Sequence, residues 1–506
     1  MSRIRNFSKN IAASYCQLGF NTLYSLASIP LILYYLPKEE YGLWVTLMQA
    51  IGYLTLIDFG MTSAASRLLV DYKDDRQSVE YGAMVKTMIL VSLCQGIIVF
   101  VVCIACSPFV ASFINVPQDQ TKLFILLASV QGFVSASTFV FRPLSAILYA
   151  FQKEYIPILT GSISLMISLP LLWISLKNNI GVYSFIYINL VFALLNPVII
   201  FYFCLINRYL PSKVFHIKVS KNSFFSVFHF GKDIFLMNLG AQLINASQLI
   251  IISRSLGLDK AAIWAVGTKI FYLTISLVCR PYGASIPGLC ELLVSGQSQK
   301  LYKRFKDIVA LTCSLGVFLG VSFALCNSLF VCIWTQGKVF WPIQNDVFLG
   351  LWVFLSSMQT THGNFVSVTK QIGGMRYIYL LEGICLFLLG SITVAYLGIL
   401  GVIISSLLCT IAFTYQYSIR KSAAYFQENT WNVAVSWIKP SLIYALLYIP
   451  AAYFVWLFTS SLPVSVRFGC HVSFAMSFGL FMLFKFGLAS NLKNELKSFL
   501  YKIFAT

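Results

Sequence analysis

The chain has 506 residues, of which 58% are hydrophobic and only 10% charged, yet its formal net charge is +19. A soluble globular protein carries about 25% charged residues, so water is excluded as its main solvent. A membrane β-barrel is excluded too, because it would alternate apolar and polar residues in segments of about ten, a period absent here.

Crossing a bilayer takes about 20 mostly apolar residues per helix. Arg3, Arg5 and Lys9 precede an apolar stretch over 11–36 without a small-residue cleavage site, which predicts a retained first helix. Further spans are predicted over 41–70, 83–107, 120–150, 155–176 and 180–206. A basic, polar linker over 207–232 leads to a second block, with spans over 233–256, 260–290, 308–335, 346–370, 376–398 and 400–419. A last pair over 440–460 and 466–487 precedes the tail, residues 488–506. The expected fold is an all-α polytopic membrane protein of about fourteen helices. Its parts are a bundle (1–206), the linker (207–232), a second bundle (233–420), an extra pair (440–487) and a tail (488–506).

Of the 36 Lys and Arg residues, 25 fall at the termini and in the even loops, among them Lys213, Lys218 and Lys221. Only Lys38, Lys122, Lys177, Lys260, Lys338 and Arg467 fall in the odd loops. Basic residues near short loops stay on the cytoplasmic side, so both termini are expected there. The positive charge is spread along membrane-proximal loops with no base-reading module, which favours anionic lipids as partners over nucleic acid. The tail, with Lys493, Lys497 and Lys502 beside Leu496, Phe499, Leu500 and Ile503, suits an amphipathic surface helix. The 13 cysteines are scattered through apolar stretches, and the one close pair, Cys103 and Cys106, lies within a span. Buried thiols explain them better than disulfides or a metal, and no cofactor is implied.

An internal repeat is visible. A shift of 220 positions carries Leu36 and Trp44 onto Leu256 and Trp264, Lys86 onto Lys306, Arg142 onto His362, and Gly181-Val182 onto Gly401-Val402. A shift of 221 carries Gln17 and Asn21 onto Asn238 and Gln242. Two six-helix halves entering the membrane in the same sense are expected to be related by an axis along the membrane normal, with a cavity between them.

The stretch 29–69 contains Ile29-Pro30-Leu31, Glu40-Tyr41-Gly42-Leu43-Trp44 and Asp58-Phe59-Gly60 followed by small residues and Arg67. It resembles the N-terminal region of O-antigen and polysaccharide flippases, the polysaccharide transporter branch of the multidrug, oligosaccharidyl-lipid and polysaccharide flippase superfamily. The resemblance implies a cationic cavity that moves an undecaprenyl-diphosphate-linked oligosaccharide from the cytoplasmic to the periplasmic leaflet of a bacterial inner membrane. It implies a polysaccharide polymerase and a chain-length regulator as candidate partners. The extra helix pair looks like that of some superfamily members, including lipid II flippases.

Ionised side chains at bilayer depth cost several kcal/mol and should face a wet cavity. Arg142, Lys269, Arg280 and His362, the repeat partner of Arg142, are therefore candidates to bind diphosphate or an acidic sugar, for which the planar fork of arginine is suited. Lys269 near a span end could equally snorkel. Gln17 and Asn21, then Asn238, Gln242 and Asn245, form polar stripes that could bond sugar hydroxyls or join helices. Asp58 could bind a coupling proton or sodium ion, or pair with a cavity arginine such as Arg280. Glu382 is expected to cap a helix or lie at the surface. An ion-coupled multidrug exporter is the nearest alternative, but it would favour acidic spans. A polysaccharide polymerase or ligase is less favoured, since no long outward loop or catalytic constellation is present, and no enzyme activity is expected.

Overall fold

The computed structural model describes residues 2–72, 75–76, 78–211, 221–369, 372–488 and 493, and these are helical almost throughout. Lys213, Lys218 and the tail from 494 onward lie outside the described residues. Among the described residues, twelve helices are long and apolar enough to cross a membrane. Two further expected crossings have a different character. The span 41–70 is broken into α2 (Lys38–Gly52), a 3-10 turn (Tyr53–Asp58) and α3 (Met61–Tyr72). The span 346–370 is α12 (Ile343–Val368), whose Asn345, Asp346, Thr361 and His362 are buried polar residues that lower its hydropathy.

The break in the second span corrects the single helix expected there, and its cause is local. Phe59 and Gly60 both take left-handed backbone, at φ 48° and 69°, which no continuous α-helix tolerates. The α3 helix then starts under a cap, the Thr62 amide donating to Asp58 Oδ2 at 3.3 Å.

The chain forms two compact units, Met1–Ala262 and Ile263–Thr506. The first holds α1 (Ser2–Tyr35), α2, α3, α4 (Val79–Phe113), α5 (Gln118–Ala150), α6 (Tyr155–Lys177), α7 (Tyr183–Ile206) and α8 (Lys221–Leu256). The α8 helix begins inside the stretch read as linker and packs on α2, α3 and α4, and the Tyr53 and Ser247 hydroxyls meet at 3.0 Å. The helix α9 (Leu258–Gly267) crosses the boundary. The second unit continues with α10 (Lys269–Val294), α11 (Ser298–Trp334), α12, α13 (Met375–Leu397), α14 (Ile399–Thr410) and α15 (Gln416–Tyr425). It closes with α16 (Lys439–Phe458), α17 (Val464–Phe474) and the short α18 (Leu480–Met482).

Within each unit, helices related by the repeat choose related partners. The pairs α3 with α5, α4 with α5 and α6 with α7 are matched by α10 with α12, α11 with α12 and α13 with α14. Glycines set the closest of these approaches. At Gly96 on α4 an added Cβ would sit 2.9 Å from the Ala136 carbonyl oxygen of α5, and at Gly316 on α11 it would sit 2.7 Å from Ser357 Oγ of α12. The two glycines are 220 positions apart, the shift of the sequence repeat. Small residues are what let membrane helices come this close.

The thiols are only partly the buried groups expected, since Cys103, Cys204, Cys313 and Cys409 are buried while Cys16, Cys94, Cys106 and Cys470 are exposed. All 13 cysteines are free, and the buried Cys103 packs against Gly132 and donates to the Ala128 carbonyl at 3.2 Å. Glu382, expected to cap a helix or lie at the surface, is instead buried and binds a backbone amide of a neighbouring helix. It is 2% exposed, its oxygens accepting from the Thr410 hydroxyl at 2.9 Å and the Thr414 amide at 3.1 Å, where a π-turn over Ile411–Tyr415 frees that amide. Outside the spans, the Tyr302 hydroxyl at 2.7 Å and the Asn432 amide at 2.7 Å hold the Glu428 carboxyl below the usual carboxylate range.

Candidate functional site

The first unit carries an open cavity of about 410 Å³ lined by α2, α5 and α7. That is within the roughly 300–1,000 Å³ of ligand sites. Its polar lining is Gln131, Thr138, Arg142 and Ser145 from α5 with Asn189 and Asn196 from α7. Met48, Phe141, Phe192 and Pro197 supply apolar wall. Helical geometry explains the convergence, since residues spaced by three, four or seven share a face, as 131, 138, 142 and 145 do on α5 and 189 and 196 do on α7.

Arg142 is held from two sides. Its guanidinium lies 3.6 Å from the centroid of the Phe139 ring, one turn back on the same helix, a cation–π contact strengthened away from water. Arg142 Nη1 meets Asp58 Oδ1 at 3.1 Å. Asp58 is fixed in turn by the Thr62 amide and hydroxyl, and the turn bearing it is tied down by Gln95 Nε2, which donates to the Ile57 and Asp58 carbonyls at 3.0 and 3.1 Å. The broken second span thus delivers a carboxylate to an arginine that would otherwise carry an uncompensated charge. The pair is incompletely buried, with side chains 27% and 14% exposed, so guanidinium donors stay available to a ligand. The cavity amides are also partnered, Asn189 Nδ2 donating to Gln131 Oε1 at 3.2 Å and the Ser164 hydroxyl to Asn196 Oδ1 at 2.6 Å.

The remaining candidates fall elsewhere. In the first unit, Gln17 is half-buried and Asn21 exposed on α1, while on α8 Asn238 is exposed and Gln242 lies over Gly52. Asn245 on the same helix donates to the Ala241 carbonyl of its own helix. None of these lines the cavity. In the second unit, Lys269 opens α10 and is exposed, and Arg280 is half-buried. His362 is wholly buried among Phe305, Phe365, Phe426 and Trp437, its Nδ1 2.6 Å from the Ser422 hydroxyl. Its repeat relation to Arg142 therefore preserves the helix position but places it in an aromatic core. Sequence alone does not single out Gln131, Thr138, Ser145, Asn189 and Asn196, although the seven-residue spacings of 131 with 138 and of 189 with 196 place each pair on one helix face.

The family model described as polysaccharide biosynthesis protein matches residues 7–293, more than half of the chain. The chain belongs to that family. A protein of Salmonella typhimurium (strain LT2) named for O-antigen transport is 23% identical over 330 residues, which cover 64% of this chain and 72% of the relative. Among solved structures, an inward-facing multidrug resistance transporter of the MATE family, in the MOP superfamily, aligns at a TM-score of 0.67 and 13% identity, covering 80% of this chain and 95% of that one. The lipid II flippase MurJ in an inward closed conformation aligns at 0.64 and 13% identity, covering 94% and 99%. A MOP superfamily transporter from Pyrococcus furiosus aligns at 0.60 and 13% identity, covering 84% and 97%. This member of the polysaccharide biosynthesis family thus has the fold of MOP superfamily transporters and is a multi-pass membrane protein.

Because Asp58 is ion-paired, its substitution separates a structural role from ion coupling. Asp58→Asn should lower the stability of the detergent-purified protein by roughly 1.5–3 kcal/mol, the range for hydrogen bonds to charged groups. If transport in proteoliposomes responds to an imposed ion gradient, Asp58→Asn should leave that response in place. Loss of that response with unchanged stability would assign the coupling ion to Asp58.

Proposed function

We propose that the protein is a flippase that moves an undecaprenyl-diphosphate-linked oligosaccharide from the cytoplasmic to the periplasmic leaflet of a bacterial inner membrane. The observation that carries this reading is the cavity beside Arg142, in which a guanidinium with free donors shares a wall with amides and hydroxyls of α5 and α7. A diphosphate needs the first, and sugar hydroxyls need the second. Family membership and the relative named for O-antigen transport support the substrate class.

Transport proceeds by alternating access, with both termini cytoplasmic and fourteen crossings in all. Arg280 and Lys269 on α10 are the basic positions of the second unit that serve the same substrate, while Gln17, Asn21, Asn238 and Gln242 serve its sugars from α1 and α8. His362 acts as a packing residue at the position equivalent to Arg142. A polymerase and a chain-length regulator are the protein partners that would receive the product. A cationic drug is a poorer fit for the cavity, because Asp58, the acid beside it, is occupied by Arg142.

The test is reconstitution. Proteoliposomes holding the protein and a fluorescent undecaprenyl-diphosphate oligosaccharide should expose the label to a membrane-impermeant quencher faster than protein-free liposomes. Equal rates, or acceleration only of a cationic dye, would sink the reading.

A further inference from the structure

The second unit holds a fully buried acid that the candidate site does not use. Asp346, near the start of α12, is 0% exposed, and Asn327 on α11 is 1% exposed. Asp346 Oδ1 accepts from Asn327 Nδ2 at 2.7 Å and from Trp341 Nε1 at 2.6 Å. Asn327 Nδ2 also donates to the Gly267 carbonyl at 3.0 Å, at the junction where α9 gives way to α10. The second oxygens of both groups, Asp346 Oδ2 and Asn327 Oδ1, are buried and have no hydrogen-bond partner.

Two unpartnered acceptors on neighbouring planar groups are an expensive arrangement, since a buried oxygen left unpaired costs about 1–3 kcal/mol and more if charged. No Lys, Arg or His pairs with Asp346 among the described residues. The groups facing it are few. Cys326 comes from α11, the Ser328 amide of the same helix lies beside the carboxyl, Trp341 comes from the preceding loop, and Gly267 and Thr268 form the junction. Lys269, next along α10, is exposed, as is Lys338 in the loop. From α17, His471 Nδ1 donates to the Leu325 carbonyl at 2.9 Å, two residues before Asn327, and its Nε2 is engaged by Thr459 at 2.8 Å. None of these supplies a proton to both orphan oxygens.

One proton does. On Asp346 Oδ2 it turns an orphan acceptor into a donor whose natural partner is Asn327 Oδ1, closing the cyclic acid–amide pair already half made by the Nδ2 to Oδ1 bond. We propose that Asp346 and Asn327 form a proton-binding site that latches the α9–α10 junction, and that release of this proton loosens the junction during transport. The latch stands on the geometry alone, whereas its use in transport rests on the flippase reading above. Deprotonation would leave a carboxylate facing an amide oxygen with no cation nearby, and the strain is relieved by parting α11 and α12 from Gly267. Two side-chain oxygens are few for a sodium ion, which the test treats as a contrary outcome.

The test uses the full-length protein in lipid nanodiscs. Infrared difference spectra between wild type and Asp346→Asn, recorded across a pH titration, should show a protonated carboxyl C=O band in the wild type that is missing in the variant and unchanged in Asp58→Asn. The amide introduced by Asp346→Asn can donate to Asn327 Oδ1 as the acid does, so the variant should fold and its melting temperature should lose pH dependence. A band that persists in the variant overturns the site, as does a wild-type spectrum that responds to sodium but shows no such band. In proteoliposomes, Asp346→Asn, which keeps the latch closed, should flip substrate at least tenfold more slowly than wild type and gain nothing from a proton gradient, whereas wild-type rates or retained stimulation overturn the coupling role. If the wild type moves no lipid-linked oligosaccharide, the flippase reading fails while the infrared result still decides the latch.

Discussion

Replacing Arg142 by alanine is expected to abolish export of the glycan, with the protein still inserted in the membrane. The substitution removes the cavity guanidinium and leaves Asp58 without its counter-charge, although the Thr62 contacts remain to hold that carboxylate. Truncating one partner of a hydrogen-bonded charge pair costs about 2–5 kcal/mol where the partner is buried, which at 1.4 kcal/mol per decade corresponds to a loss of transport activity of well over tenfold if the interaction is with substrate. Arg142→Lys separates the two roles of the side chain. Lysine restores a positive charge for Asp58 but not the planar fork, so stability should return while transport recovers only in part. The measurement is surface glycan on whole cells, with membrane abundance of each variant measured alongside. Normal glycan in Arg142→Ala would remove the cationic cavity from the mechanism. Arg280→Ala, made in parallel, tests the second unit by the same readout.

Gly42→Ala should cripple folding instead of transport. The Cα of Gly42 on α2 lies so close to the backbone of Leu258 that an added Cβ would fall within the radius of the Leu258 carbonyl oxygen. Neither side can yield, because the obstacle is backbone at the first turn of α9 and not the end of a flexible side chain. Overpacking of cores costs typically 1–3 kcal/mol, and a clash with main chain belongs at or above the upper end. The expected result is a sharp drop in the yield of monodisperse protein on size exclusion, and a lower melting temperature for what remains. Gly19→Ala, at a helix position where an added Cβ meets nothing within 4 Å, is the control and should behave as wild type. Equal behaviour of the two variants would mean that Gly42 does not pack against the Leu258 backbone.

The two experiments bear on different layers of the same early motif. Gly42 belongs to Glu40-Tyr41-Gly42-Leu43-Trp44, where a small residue permits a close approach and Trp44 stacks on Phe185 at 5.0 Å. Asp58-Phe59-Gly60 does something else, since it breaks the helix and presents the acid to Arg142. Conserving the backbone shape of the second span therefore matters as much for the site as its charge.

Much of this was legible beforehand. Hydropathy alone marks helices in a bilayer, because backbone groups there must be satisfied within the helix and apolar length is the dominant cost. The repeat was readable because related helices must keep related contact faces, and Gly96 and Gly316 show one such constraint surviving at a separation of 220 residues. Arg142 could be singled out because a charge at that depth demands a reason. The sequence did not show which acid would meet it. Arg280 stood as a possible partner for Asp58, and the structure instead pairs Asp58 with Arg142, because two left-handed residues turn the chain at 59 and 60.

Sequence by itself determined the solvent, the helical class and the short list of charged residues, since each follows from local composition and period. Tertiary structure alone decided which of those residues share a space. Arg142 joins amides of α5 and α7 around a cavity, His362 at the equivalent repeat position is sealed among aromatic rings, and Asp346 is buried with one carboxyl oxygen that no side chain or backbone group bonds. The physical reason is that burial and partnership depend on side chains brought from helices far apart in the chain, whereas periodicity reports only which face of its own helix a residue occupies.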